Sequence, residues 1–231
     1  MKAKSDALRK KSKKPASEPD GGQTTRLPHA ERKAQILDIA SEFFADYGLT
    51  AQTRRLAEEC GISQRLLYRF FPTKEDLLAE VYRQEIVGAF KAVWFVDLQD
   101  RSRSIEARLI HFYEDYTEQT LTRKWLRLFM YASLSESTMA PDYISSIITQ
   151  LLEVIMAEVA AELEIDLPDD VDLIREMAWT LHGAISHYSI RRHLYHASQS
   201  LPAKEVVKMH VRLFLNGFEA MVRQSDPRPQ G

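Results

Sequence analysis

Apolar residues recur every three or four positions along most of this chain, the spacing that lines one face of an α-helix. Between residues 28 and 47 they are Ile36, Leu37, Ile39, Ala40, Phe43 and Phe44, and the pattern predicts a helix closed by Gly48 as its C-cap. A short helix is expected over about 53–59. Gly61 supplies a tight turn, Ser63 is a natural N-cap, and a second short helix ends near Phe71. Pro72 and Thr73 break the chain, and Thr73 can cap a long helix running from 74 to about 96. Further helices are expected near 103–120, 122–135, 141–165, 170–197 and 203–224, with Pro141, Pro168 and Pro202 close to helix starts, where proline is tolerated. No alternating run long enough for a sheet stands out and no internal repeat is present, so the expected fold class is all-α.

The ends break this pattern. Residues 1–28 are rich in Lys, Ser, Pro and Gly and cannot bury enough surface to offset chain entropy, so a disordered basic tail is expected. Its cluster Lys10, Lys11, Lys13 and Lys14 reads either as a solubilising tail or as an arm that follows a DNA backbone or minor groove. Residues 225–231, with Pro227, Pro229 and Gly231, read as a frayed tail.

Composition narrows the class. Hydrophobic residues make up 45% of 231 positions, enough for a core, and the 8 Gly and 9 Pro fit helices joined by short loops. The single cysteine, Cys60, excludes an intramolecular disulfide, reads as a packed small hydrophobe and fits a reducing cytoplasm, the expected location. No apolar run is seen to approach the ~18 residues of a membrane span. The basic N-terminus lacks the apolar stretch of a secretory signal, and no membrane partner is expected. The net charge of −2 hides an asymmetry. Residues 1–90 hold 16 Lys+Arg and 13 Asp+Glu (+3), and residues 91–231 hold the other 15 and 20 (−5). The positive half attracts phosphate.

That half contains residues 52–78, two short helices about the Gly61 turn followed by the start of a third. The second helix carries Gln64, Arg65, Tyr68 and Arg69 close together on its surface, the chemistry of a helix laid into a DNA major groove. Arg65 and Arg69 share a face and either can pair bidentately with guanine; the alternative is phosphate contact or solvation. Gln64 can read adenine. Leu66 either packs on a thymine methyl or fills space between helices, because Leu67 already supplies a core anchor. Thr53, Arg54 and Arg55 begin the supporting helix and can clamp the backbone, and Ser63 caps the reading helix beside them. Lys74 lies at a helix N-terminus, whose exposed amides suit an anion. Phe43, Phe44, Leu56, Ala57, Ile62, Leu67 and Phe71 are assigned to a small core. One such helix reads only a few base pairs, so a homodimer on a palindromic site in double-stranded DNA is expected.

The run Ile36-Leu37, Ala40, Phe44, Gly48, Leu56-Ala57, Gly61-Ile62-Ser63, Leu67-Tyr68, Phe71 and Lys74-Glu75 followed by Leu77-Leu78 is similar to the DNA-binding domain of the tetracycline-repressor (TetR) family of bacterial transcription regulators. It covers roughly a fifth of the chain. The loop after Gly48 is one residue shorter than usual, Gln52 replaces a common capping threonine, and Leu66 and Phe70 are bulkier than many members carry. The resemblance implies an N-terminal three-helix helix-turn-helix domain over 29–78 joined to a larger helical ligand-binding and dimerisation domain over 79–224. It implies a ligand-inducible repressor; the alternative is an activator, or a protein-docking factor without an inducer. In this family the positions of Tyr68 and Lys74 commonly hold phosphates, and the last two helices of each subunit form a four-helix bundle. Candidate interface residues are Val206, Met209, Leu213, Phe214, Gly217, Phe218 and Met221 on the last helix, with the small Gly183 and Ala184 on the one before. A small-molecule effector is expected among the aromatic and Met-rich positions Trp94, Phe95, His111, Phe112, Tyr116, Trp125, Phe129, Met130, Trp179 and His182. Their mix suits a mostly apolar ligand with one or two polar handles. Ligand binding is expected to shift the helix after Lys74 and change the spacing of two reading heads.

Enzyme chemistry has no foothold. No Gly-rich phosphate loop, nucleophile elbow or HExxH motif is present. His193 and His196 lie three apart but no Cys or carboxylate set completes a metal site. No cofactor is expected.

Overall fold

The computed structural model describes residues 28–135, 139–195, 197–198 and 201–225. The expected basic tail and the last six residues lie outside that range.

The first four helices build the head. Helix α1, His29–Tyr47, buries Ile36, Leu37, Ala40, Phe43 and Phe44 and stops at Gly48, whose φ of 82° suits a residue without a Cβ. Helices α2, Thr53–Glu59, and α3, Gln64–Phe70, flank the turn at Gly61, φ 65°. The Ser63 side chain accepts the Leu66 amide and starts α3. Helix α4, Lys74–Tyr82, opens on a full capping box, in which Thr73 takes the Asp76 amide and Asp76 takes the Thr73 amide. Leu56, Ala57, Cys60, Leu67 and Phe71 close the core against α1, with Ile62 half-buried at its edge.

The long helix expected over 74–96 is interrupted. After Tyr82 the chain makes a π-helical turn, Arg83–Val87, and resumes as α5, Val93–Leu98. The Gly88 amide bonds the Arg83 carbonyl five residues back, and a Cβ on Gly88 would stand 2.5 Å from the Gln84 carbonyl oxygen. Glycine is what lets the turn close there.

The body comprises α5, α6 (Ile105–Gln119), α7 (Arg123–Ser133), α8 (Met139–Tyr143), a second π-helical turn (Ile144–Ile148), α9 (Thr149–Leu163), α10 (Val171–His193) and α11 (Ala203–Ser225). Helix α6 is central and packs against α5, α9, α10 and α11. Among the described residues there is no strand. One stretch corrects the hydropathy reading: Ala140–Leu163 is long and apolar enough to cross a membrane. In this fold its residues Ile148, Leu151, Leu152, Ile155, Met156 and Val159 are buried in the core of the body.

That helix also carries the charge partners of Arg108, which is 2% exposed. The Arg108 guanidinium donates to Glu158 at 2.8 Å, to Glu162 at 2.9 Å and to the Leu98 carbonyl. Glu158 also receives Arg101 at 2.9 and 3.0 Å, and Glu162 accepts the Ile105 amide. The network ties α5, α6 and α9 together. Guanidinium contact, first from Arg101 and then from Arg108, holds the Glu158 carboxyl below its usual range against the opposing effect of burial.

Candidate functional site

The head presents α3 to solvent. Gln64, Arg65, Tyr68 and Arg69 are exposed, Leu66 is half-buried, and Leu67 points into the core. Among the described residues neither Arg65 nor Arg69 has an ion pair or hydrogen bond. The other sequence-predicted contacts are engaged within the fold. Arg54 and Arg55 each pair along α2, with Glu58 and Glu59 at 3.4 Å, and Arg55 also stacks 3.8 Å over the Tyr47 ring. Thr53 is 7% exposed; its hydroxyl lies 2.9 Å from the Tyr68 hydroxyl and accepts Gln64 Nε2 at 3.2 Å. These bonds lock α2 to α3 and fix the pitch of the exposed face. Lys74 donates to the Ala51 carbonyl at 2.8 Å, and burial pulls its ammonium below the ordinary lysine value. Ser63 is occupied as a cap. Phe70 is half-buried and packs on His29, ring centroids 4.6 Å apart, so its bulk pins the start of α1 to the end of α3. Burial, then the neighbouring Glu59, pushes the Cys60 thiol up to about 11, which leaves it protonated and unreactive.

Helix α7 grips the head from below. Arg127 donates to the Ala45 and Asp46 carbonyls, where α1 leaves its last acceptors without helical partners, and Arg123 pairs with the Asp46 carboxylate at 2.9 Å. Lys124 bridges Glu42 of α1 at 3.2 Å and Glu85 of the first π turn at 2.9 Å. The Tyr131 ring lies 3.7 Å from the Cβ position of Gly48. No signal in the sequence pointed to these contacts.

The interior aromatics form two clusters. In the first, Trp94, Phe112 and Tyr116 pack within 5.4–5.6 Å of each other, and His182 joins at 5.5 Å from Tyr116 with Trp179 at its edge. The Trp94 indole nitrogen is already held by Asp115 at 2.7 Å. Burial drives His182 down to about 4, so it is neutral at pH 7. In the second, Trp125 and Phe129 stack at 4.8 Å and both meet Tyr143. Phe95 and Met130 are half-buried, and His111 is exposed, outside both clusters.

The comparisons with known proteins agree with this geometry. Residues 36–81 match the family model for bacterial regulatory proteins of the tetR family. The head of this chain is thus similar to the DNA-binding segment of the TetR family. Over 87 residues it is 33% identical to the transcriptional repressor KstR2 of Rhodococcus jostii, a match covering 36% of this chain and 42% of that protein. The chain thus spans under half the length of this curated relative. A TetR-like transcriptional regulator from Rhodococcus sp. RHA1 shares the fold, with a TM-score of 0.64 at 19% identity over 84% of this chain and 99% of that one. So does Thermus thermophilus FadR, solved with lauroyl-CoA, with a TM-score of 0.52 at 19% identity over 86% of this chain and all of that one.

The remaining TetR-type expectation concerns α10 and α11, which pack on each other. The expected interface stripe splits. Val206, Phe214 and Phe218 are buried within the protomer, which corrects their place on an outer surface: a wide helical stripe has a core edge and a solvent edge. Met209, Leu213, Gly217 and Met221 make up the exposed edge, with Gly183 and Ala184 half-buried beside it on α10. Among the described residues no group of His, Cys, Asp and Glu could hold a metal; His196 lies outside them.

Proposed function

We propose that this chain is a transcriptional regulator that acts in the cytoplasm as a homodimer, a ligand-inducible repressor of a palindromic operator. One observation carries the reading: Arg65 and Arg69 stand exposed and unpaired on one face of a short helix that hydrogen bonds from Thr53 lock in place. An unpaired guanidinium on a fixed helix is pre-organised for guanine or phosphate, because binding sacrifices no internal ion pair. Gln64, Leu66 and Tyr68 complete the groove-facing surface, and Arg54 and Arg55, Ser63, and Lys74 lie at the starts of α2, α3 and α4, toward the backbone.

The exposed apolar edge of α11, Met209 with Leu213 at 63% exposure, supports self-association. The curated relatives include both repressors and an activator, and a structural neighbour solved with lauroyl-CoA supports a small-molecule effector in the helical body. The effector shifts the body between two packings and so moves the paired heads out of register with successive major grooves.

Selection of bound duplexes from a random pool tests this. The expected product is an inverted repeat with half-site centres about 10 base pairs apart or a multiple of that, bound by a species of twice the chain mass. Recovery of no preferred sequence, or of a single half-site bound by a monomer, overturns the proposal.

A further inference from the structure

Among the described residues, Tyr82 Oη and Trp125 Nε1 are buried polar atoms without a hydrogen-bond partner, and the buried Tyr143 Oη beside them has only the Tyr116 hydroxyl within reach. Tyr82, Trp125 and Tyr143 are 7%, 5% and 2% exposed. Buried donors are almost always paired in native folds, because leaving water forfeits hydrogen bonds that something else must replace. Two neutral donors in one region, with a third hydroxyl beside them that meets only another phenol, therefore call for an acceptor.

They are close together. The Trp125 ring centroid lies 5.8 Å from that of Tyr143, with Phe129 stacked on Trp125 as a wall. Burial raises the Tyr82 phenol, and Tyr143 is near enough to raise it further. An apolar crevice lined by Leu49, Leu78, Val81 and Leu128 runs beside Tyr82.

The backbone marks the same place independently. Tyr82 and Tyr143 each stand immediately before a π-helical turn, and α7, which carries Trp125, packs against the first of these turns and against α8, which leads into the second. Such turns are rare and cluster at functional sites.

The charges nearby define what fits. The three cations of α7 that flank Trp125 are committed: Arg123 to Asp46, Lys124 to Glu42 and Glu85, and Arg127 to the α1 carbonyls. Asp142 adds a negative charge on the Tyr82 side. An anionic ligand head would lose its hydration here and gain no counter-charge.

We propose that Tyr82, Tyr143 and Trp125 form the polar handle of the effector site, and that they select an uncharged, largely apolar ligand bearing a carbonyl-type acceptor over an anionic one. This rests on the reading of the chain as a ligand-responsive regulator. It makes Tyr82 the sensor nearest the head, since it ends the helix that Lys74 begins.

Acetophenone, benzoate and ethylbenzene share a shape and differ in acceptor and charge, so they serve as probes in thermal-shift and calorimetric titrations of the full chain. The expected result is that acetophenone binds at least several-fold more tightly than either of the others. Tyr82→Phe and Tyr143→Phe each weaken that binding on the order of tenfold, and Tyr82→Phe leaves the melting temperature without ligand unchanged or higher, because an unpaired hydroxyl has been removed. Benzoate binding as tightly as acetophenone, no preference of acetophenone over ethylbenzene, or no acetophenone binding overturns the proposal. So does a Tyr82→Phe variant that melts lower, which would mark that hydroxyl as bonded to structural water. Operator binding measured alongside separates the two readings. Ketone selectivity without DNA binding supports the site and sinks the regulator; DNA binding without selectivity sinks the site alone.

Discussion

Removing the charge of α3 is the sharpest perturbation of the DNA-binding reading. Arg65→Met and Arg69→Met each keep an unbranched stem and delete one exposed guanidinium. Among the described residues neither arginine side chain has a partner, so the folded state loses nothing there, and unfolding free energies are expected to stay within about 0.5 kcal/mol of the parent. The cost falls on binding. A bidentate arginine–guanine pair is worth about 1–3 kcal/mol. In a dimer both half-sites lose it, which doubles the cost to about 2–6 kcal/mol, or a roughly thirtyfold to ten-thousandfold weaker operator complex. Fluorescence anisotropy on operator and random duplexes, repeated across a salt series, separates the two kinds of contact. A base-reading arginine weakens operator binding far more than random binding. A phosphate-holding arginine weakens both alike and lowers the salt slope by about 2 per dimer. If both variants, singly and together, keep the parent's preference for operator, α3 is not the reading helix and the argument fails.

Four further outcomes follow from the same contacts. Thr53→Val removes the hydrogen bonds to Tyr68 and Gln64, and is expected to lower stability by about 1 kcal/mol and to weaken operator binding with Arg65 and Arg69 intact; denaturation and anisotropy together check it. Gly88→Ala forces the first π turn to open, because the clash is with a backbone oxygen, and should cost about 1–3 kcal/mol in urea unfolding. Arg108→Met leaves Glu158 buried beside Arg101 alone and is expected to destabilise by about 3–5 kcal/mol, whereas a loss below 1 kcal/mol would show the network to be solvated. Acid stability should fall in two windows. His182 titrates at about 4 in the fold and 6.5 when unfolded, so the unfolded chain binds its proton first, and about 3 kcal/mol is lost as pH drops from 6.5 to 4. The depressed Glu158 carboxyl contributes stability that is complete above its unfolded value of 4.5 and disappears only as pH falls through its lower folded value. His182→Gln should flatten the first window alone.

The head was legible because its boundaries are written in local chemistry. Ser63, Thr73, Gly48 and Gly61 each act within three or four residues of themselves, and their positions in sequence are their positions in space. Arg65 and Arg69 were legible for a related reason: a short helix with one core anchor, Leu67, has few choices about which face it exposes. The break after Tyr82 was not. Leu77, Leu78, Val81, Tyr82, Ile86 and Val87 continue an apolar pattern straight through the π turn, and only Gly88 betrays the extra residue in the helical cycle. Arg108 was missed because a charge on an amphipathic helix reads as surface, and its partner Glu158 is 50 residues away. The outer stripe of α11 failed halfway: periodicity locates an apolar face but not which edge of it the core takes.

Where the molecule can yield follows from which of its charges are wet. The pairs joining head to body are partly exposed, Arg123 with Asp46 at 48% and 47% and Lys124 with Glu42 at 32% and 64%. Such pairs are worth about 0–1 kcal/mol each, so a small rotation of the head against α7 costs little. Within the body the Arg108–Glu158 pair, 1% and 7% exposed, is a stiff wall that resists any parting of α6 from α9. A ligand seated against Trp125 and Tyr82, where α7 meets the first π turn, would press on the soft joint. Effector coupling between sites is typically about 1–3 kcal/mol, enough to move the joint and too little to break the wall. The proposed movement of the head would pass through α7, which α1 meets directly through Arg123 and Arg127 and α4 meets through the turn that Lys124 holds.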